Sequence, residues 1–217
     1  MGFSRASKRR LKRLLAGVDR REKTVFVTLT FPRSGPQDPD VCHALMRKWD
    51  KRIVRNFSKF GLLWRRAWQV RGTPHYHLVA WPPKGVEVEQ FLDCMRREWV
   101  DVAGDGSGWF RAHGFRGEPV ECLERVGGYL CRREKVLGRG RPWSTFRHGL
   151  IPIRYEHAKL DRSQYLKIRR VLGRLSRPFG GRDRRPKRVR SIEARMHAYV
   201  SHRELSKLLA LLGVSTT

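Results

Sequence analysis

Acidic side chains are scarce. The chain carries 20 Asp and Glu against 48 Lys and Arg, a formal charge of +28 over 217 residues. A surface so poor in carboxylates excludes a basic partner and points to a polyanion. The cations run from Lys8 to Arg190 instead of crowding one tail, so the whole body is basic and nucleic acid is the first candidate. Long apolar runs are missing too. No stretch reaches the roughly 18 residues of a membrane-spanning helix and no signal-type apolar core is present, so the expectation is a soluble, cytoplasmic protein without a membrane partner. The four cysteines, Cys42, Cys94, Cys122 and Cys131, show no C-x-x-C spacing, which argues against a structural zinc site and for reduced thiols. No G-x-x-x-x-G-K-[ST] phosphate loop occurs, so any strand-opening motor must be a separate helicase.

What is present reads as alternating strands and helices. "TVFVTLTF" (24–31) is dense in β-branched and aromatic residues and stops at Pro32, which predicts a strand. "PRSGPQDPD" is a loop by its Pro, Gly and Asp content. Val41, Leu45, Trp49, Ile53 and Phe57 recur every four residues and mark an amphipathic helix. "LLWRRAWQV" (62–70), a turn at 71–74 and "HYHLVAW" (75–81) make an antiparallel hairpin. A second helix covers about 87–100, with Phe91, Met95 and Trp99 on one face. "WFRAHGF" (109–115) reads as a strand and 119–137 as a third helix. This order predicts an α+β fold: a central, mainly antiparallel β-sheet with helices packed on one face, in ferredoxin-like or RRM-like order.

Strand alternation puts His75, His77, Val79 and Trp81 on one face and Tyr76, Leu78 and Ala80 on the other. Two neutral imidazoles on adjacent pleats of one face can hold one cation; two strand histidines bonded to water are the plain alternative.

"FVTLTFP" (26–32), "GTPHYHLVAW" (72–81) and "YLCRREK" (129–135) resemble, in order and rough spacing, the three motifs of the HUH endonucleases, which nick single-stranded DNA. More narrowly the chain is similar to the short rolling-circle replication initiator (Rep) proteins of phages and plasmids, and "GRGRPWSTFRHGLIP" (138–152) is similar to a segment those proteins carry after the tyrosine. The resemblance covers about residues 20–155. It implies an HUH/Rep nuclease-like fold, a divalent metal (Mg or Mn) on His75 and His77, and a third ligand from the strand before the hairpin turn. Gln69 is the polar residue available there, with a plain strand amide as the alternative. No carboxylate stands where many relatives have one. The resemblance also implies nicking and strand transfer through a 5′-phosphotyrosine at an origin of replication, with a polymerase and a helicase as partners. A transposase or relaxase on the same motifs is the close variant.

Cleavage without water needs a nucleophile, a charge sink and a grip on the strand. Tyr129 follows Gly127 and Gly128 and leads toward Arg132, Arg133 and Lys135. It is the candidate nucleophile, with a core aromatic of an amphipathic helix as the plain alternative; Arg132 or Lys135 stands for the motif's basic residue and acts on the phosphate or the phenol. The second tyrosine of shuttling relatives is replaced by Arg133, which implies a single-tyrosine enzyme. Arg133, Arg71 in the hairpin turn, Arg141 and Trp143 in the basic loop, and Thr28 on the first strand are candidate DNA contacts. Trp64, Trp68 and Trp81 read as core, and for Thr28 a simple strand-forming role is the alternative. The organisation expected is a basic N-terminal helix at 1–23 facing DNA, a nickase domain at 24–155, and a basic helical region at 156–217 with a linker at about 177–191. The competing class is a non-catalytic nucleic-acid-binding module in which the histidines are ordinary strand residues.

Overall fold

A computed structural model describes residues 4–19, 21–32, 34–68, 74–131, 141–154, 161–175, 208 and 210. The elements run α1 (Arg5–Ala16), β1 (Val25–Thr30), α2 (Pro39–Asn56), β2 (Gly61–Trp68), β3 (Pro74–Trp81), α3 (Val88–Ala103), α4 (Gly108–His113), β4 (Phe115–Pro119), α5 (Leu123–Leu130), β5 (Trp143–Phe146), a 3-10 turn at His148–Leu150, and α6 (Arg162–Leu175). The chain divides into two compact units, Met1–Arg154 and Tyr155–Thr217. In the second, α6 opens on a reciprocal pair: the Gln164 amide N–H donates to the Asp161 carboxylate, and the Asp161 amide N–H donates to the Gln164 side chain. That satisfies two otherwise orphan donors at the helix start. The linker expected at 177–191 lies outside the described residues.

Five strands form one sheet in the order β4-β1-β3-β2-β5, every neighbouring pair antiparallel. An α+β fold with an antiparallel sheet is what the order of elements predicted. Alternation along β1 sends Val25, Val27 and Leu29 to one face, where they are fully buried, and Phe26, Thr28 and Thr30 to the other. The first face meets α2 and α3. Leu62, Trp64, Tyr76, Leu78 and Ala80 complete the sheet side, and Met46, Trp49, Ile53, Phe91, Met95 and Trp99 the helix side. Two indoles in this layer keep their polar atoms satisfied: Trp49 donates to the Met95 carbonyl at 2.9 Å and Trp99 to the Thr30 carbonyl at 3.1 Å. The buried stripe of α2 is Cys42, Met46, Trp49 and Ile53, one position round from the spacing expected, and Val41 is exposed. Cys42 is the small apolar residue that turns to the sheet.

Three expectations are corrected. Helices cover both faces of the sheet, not one: Leu11, Leu14, Leu15 and Val18 at the N-terminus and Leu130 of α5 pack on Leu63, Val79 and Trp81. The N-terminal helix is therefore anchored on the histidine face by one side, with its basic side outward, because leucines at spacings of three and four suffice to dock a helix of any net charge. Residues 109–115 are not a strand. Ser107 caps α4 by accepting from the Phe110 amide at 3.1 Å, and the strand begins at Phe115. Third, the helix expected from 119 begins only at Leu123, because Pro119 closes β4; of its expected range, residues 132–137 lie outside the described residues.

The edge strand β5 has its own anchor. Arg147, in the left-handed region at φ 52°, makes a two-pronged ion pair with Asp50 of α2 at 2.6 and 2.9 Å, and its guanidinium lies 4.1 Å from the Phe60 ring centre. The start and end of this unit are also tied, by Asp19 N–H to the Pro152 carbonyl and Arg154 N–H to the Gly17 carbonyl.

Candidate active site

The register of the sheet fixes who stands beside the histidines. His77 faces Thr28 of β1 on one side and Arg65 of β2 on the other; His75 faces Thr30 and Ala67. All six belong to the face of the sheet opposite α2 and α3. His75 is 8 % exposed, His77 1 % and Arg65 0 %.

The two imidazoles converge edge to face, with Nε2 of His75 2.8 Å from Nε2 of His77. The Thr28 hydroxyl lies 3.1 Å from His77 Nδ1, so it holds the ring's far nitrogen. If that nitrogen carries the proton, the Nε2 lone pair is left pointing into the site. Phe26 stacks on the other side of the His77 ring at 5.8 Å. His75 Nδ1 is buried with no hydrogen-bond partner among the described residues.

Tyr129 reaches the same point from above the sheet. Its hydroxyl is 3.2 Å from His77 Nε2, and its ring packs edge-on against His77 at 4.8 Å and Phe26 at 5.7 Å. Two neighbours hold α5 in place. Gly127 is buried so close to α1 that an added Cβ would lie 3.3 Å from Leu15 Cδ1, and Arg65 donates from Nη1 to the Tyr129 carbonyl at 3.4 Å. An eight-residue helix with two glycines has little intrinsic stability. Packing under α1 supplies it.

Burial and then the nearby Arg65 charge push His75 down to about 4; for His77 burial, the neighbouring imidazole and Arg65 push it down to about 3. Both rings are therefore neutral at pH 7. An imidazole held so far below its ordinary value is a poor general base at neutral pH. His77 in the free protein thus orients Tyr129 and offers a lone pair, but does not take its proton. Two converging neutral nitrogens fit the nitrogen half of a divalent-metal site. Among the described residues no group of three or more His, Cys, Asp or Glu converges, and Arg65 adds a positive charge.

Of the residues singled out from sequence, His75, His77, Tyr129 and Thr28 come together here. Thr28 acts on His77. Trp143 is half-buried, its indole donating to Ser7 Oγ of α1 at 2.8 Å. Arg141 is exposed and lines a groove on the opposite face of the sheet. Gln69, Arg71, Arg132, Arg133 and Lys135 lie outside the described residues. The residue that sequence reasoning passed over is Arg65. Its signal was available: a cation of the histidine-face parity in a strand otherwise apolar enough to be core.

The fold is thus an α+β antiparallel sheet that presents a histidine pair and a tyrosine to one point, on a strongly basic chain. Residues 24–133, just over half of the chain, match the family model for replication-associated protein ORF2/G2P, and the chain belongs to that family. The match spans β1 through Tyr129, hence every described residue of the site. A role in the initiation of replication follows from the family. No curated protein and no solved structure matches the chain. No helix among the described residues is long and apolar enough to cross a membrane.

Proposed function

We propose that the protein is an HUH-type nickase that initiates rolling-circle replication of a phage or plasmid by cutting and rejoining single-stranded DNA through Tyr129. The observation that carries the reading is the Tyr129 hydroxyl 3.2 Å from His77 Nε2, with the His75 nitrogen 2.8 Å further on. In the reaction the Tyr129 oxygen bonds to phosphorus and the bond from phosphorus to the 3′ oxygen breaks. The phenol gives up a proton and the departing 3′ oxygen takes one up, so the protein keeps the 5′ phosphate and releases a 3′ hydroxyl for a polymerase. Because one phosphoester replaces another, a 3′ hydroxyl can later attack the Tyr129 ester and reseal the strand without ATP. With Arg133 where a second tyrosine would stand, that 3′ hydroxyl closes the cycle.

His75 and His77 would hold a Mg or Mn ion, which when bound polarises the scissile phosphate. Thr28 and Phe26 fix the His77 ring, Arg65 positions Tyr129 through its carbonyl, and burial, helped by the Arg65 charge, keeps both imidazoles neutral. The cations spread over the chain grip phosphates without regard to sequence. The test is incubation of the full chain with a labelled origin-strand oligonucleotide and Mn²⁺. Cleavage to a fragment that a polymerase extends, with the other fragment bound to protein, supports the nickase. Retention of the oligonucleotide without any cleavage would make the chain a binding module and overturn it.

A further inference from the structure

Back to back with the histidines, on the α2 side of the sheet, lies a second polar concavity. It is an open groove of about 370 Å³ between α2 and the β2–β5 edge, at the small end of the range of ligand sites. Arg66 stands in it at the register position between Arg65 and Ala67, the two that face His77 and His75. The groove and the histidine pair thus occupy the same stretch of the sheet on opposite faces.

The lining has two kinds of chemistry. Arg47, Arg66 and Arg141 bring three guanidiniums together, and Trp64 and Phe146 give aromatic walls 6.4 Å apart by ring centres. His43 sits beside Trp64 at 5.0 Å and within 3.4 Å of the Tyr76 hydroxyl. Burial, then the Arg66 and Arg47 charges, lower its pKa, which marks the groove wall as electropositive. Asp40 is the only carboxylate of the lining among the described residues, an acceptor for an exocyclic amine but too little to cancel three cations. Guanidiniums select phosphate, aromatic rings select a planar base, and a lone acceptor beside them suits a base edge.

We propose that this groove is a nucleotide subsite, which takes one nucleotide of the single-stranded substrate with its phosphate against Arg47, Arg66 and Arg141 and its base against Trp64 and Phe146. It lets the strand be held on both sides of the β5 edge, so that the segment crossing the histidine face is stretched between two grips. The inference rests on the reading that the protein handles single-stranded DNA, but not on its cutting it.

The test uses the full chain in EDTA, where nothing is cut, and oligonucleotides carrying a single 5-iododeoxyuridine at successive positions. Arg47→Ala with Arg141→Ala, both on the exposed rim, should weaken binding about tenfold, the effect of losing charge-assisted contacts. Lys51→Ala with Lys59→Ala, equally exposed, should change it less than about twofold. One iodouridine position should photocrosslink to the peptide containing Trp64, Phe146 or His43. Crosslinks confined to the histidine face, together with equal affinities for the two double variants, would overturn the subsite. So would a free deoxynucleoside monophosphate occupying the groove while no oligonucleotide crosslinks there, since the site would then serve a free nucleotide. Nicking with Mn²⁺ is measured in parallel. Loss of DNA binding by the rim variant in a protein that never cuts keeps the subsite and removes the nickase; unchanged binding in a protein that cuts does the reverse.

Discussion

The two faces of the sheet are made from alternate residues of the same strands, yet they are built on opposite rules. On the α2–α3 side, Val25, Val27, Leu29, Leu78 and Ala80 are apolar and the buried indoles of Trp49 and Trp99 each find a carbonyl. On the other side the same strands bury His75, His77 and Arg65. Desolvating three nitrogen-rich side chains costs stability and returns no packing that leucines would not supply better. The first face carries the larger apolar core; the second joins a smaller apolar cluster under α1 and α5 to the buried histidines and Arg65. Sites of chemistry are where local rules of stability are expected to fail.

Breaking each face separately should therefore give opposite signatures. His75→Ala or His77→Ala should lower nicking at least about a hundredfold, as expected for losing a group that acts on the scissile phosphate. Affinity for single-stranded DNA should stay within about twofold, and thermal stability should hold or rise. Parallel nicking, binding and melting measurements check this; a variant that melts early and binds poorly would make the histidines structural. Trp49→Ala on the opposite face should cost about 3–5 kcal/mol of stability. At temperatures where it is still folded, binding and nicking should be unchanged.

Acid sharpens the contrast. Unfolding restores each imidazole to its ordinary value of 6.5, whereas the folded values lie near 4 and 3. Between these limits the unfolded chain binds more protons, so stability is lost as pH falls from about 6.5 toward 4, on the order of 3 kcal/mol for each imidazole. Denaturant titrations of wild type should show that loss. The double variant His75→Asn, His77→Asn should flatten it, while Trp49→Ala should shift the whole curve and keep its slope. The smallest effect belongs to Thr28→Val, which removes the hydroxyl 3.1 Å from His77 Nδ1. It should lower nicking about tenfold with little change in stability, the usual scale for a group that orients a ligand histidine. An unchanged rate would show that Phe26 stacking alone fixes the ring.

Much of this was legible in the amino-acid sequence, and the failures have physical causes. Alternation in "HYHLVAW" was enough to separate the histidines from Tyr76, because a strand has only two faces. The motif around Tyr129 identified the tyrosine that the fold brings to them. Arg65 was passed over although its parity put it on the histidine face, since a lone cation in a chain this basic does not stand out; its pairing with His77 is what singles it out. The docking of the N-terminal helix was not foreseen, because charge dominates its composition while docking is decided by Leu11, Leu14 and Leu15. "WFRAHGF" failed through length: seven mixed residues fit a strand or a helical turn, and the Ser107 cap decides between them. The groove around Arg66 and Arg141 unites three separate stretches of chain, so no local pattern announces it.

The most direct test of the account is mass spectrometry of the protein–DNA adduct, with Tyr129→Phe run beside wild type. The variant loses one oxygen and keeps the ring that packs on His77 and Phe26, so its fold and DNA affinity should match wild type. The account predicts a nucleotide esterified to Tyr129 in the wild-type digest and no adduct from the variant. Full nicking by Tyr129→Phe, or a nucleotide on Tyr155, Tyr165 or Tyr199, would contradict it.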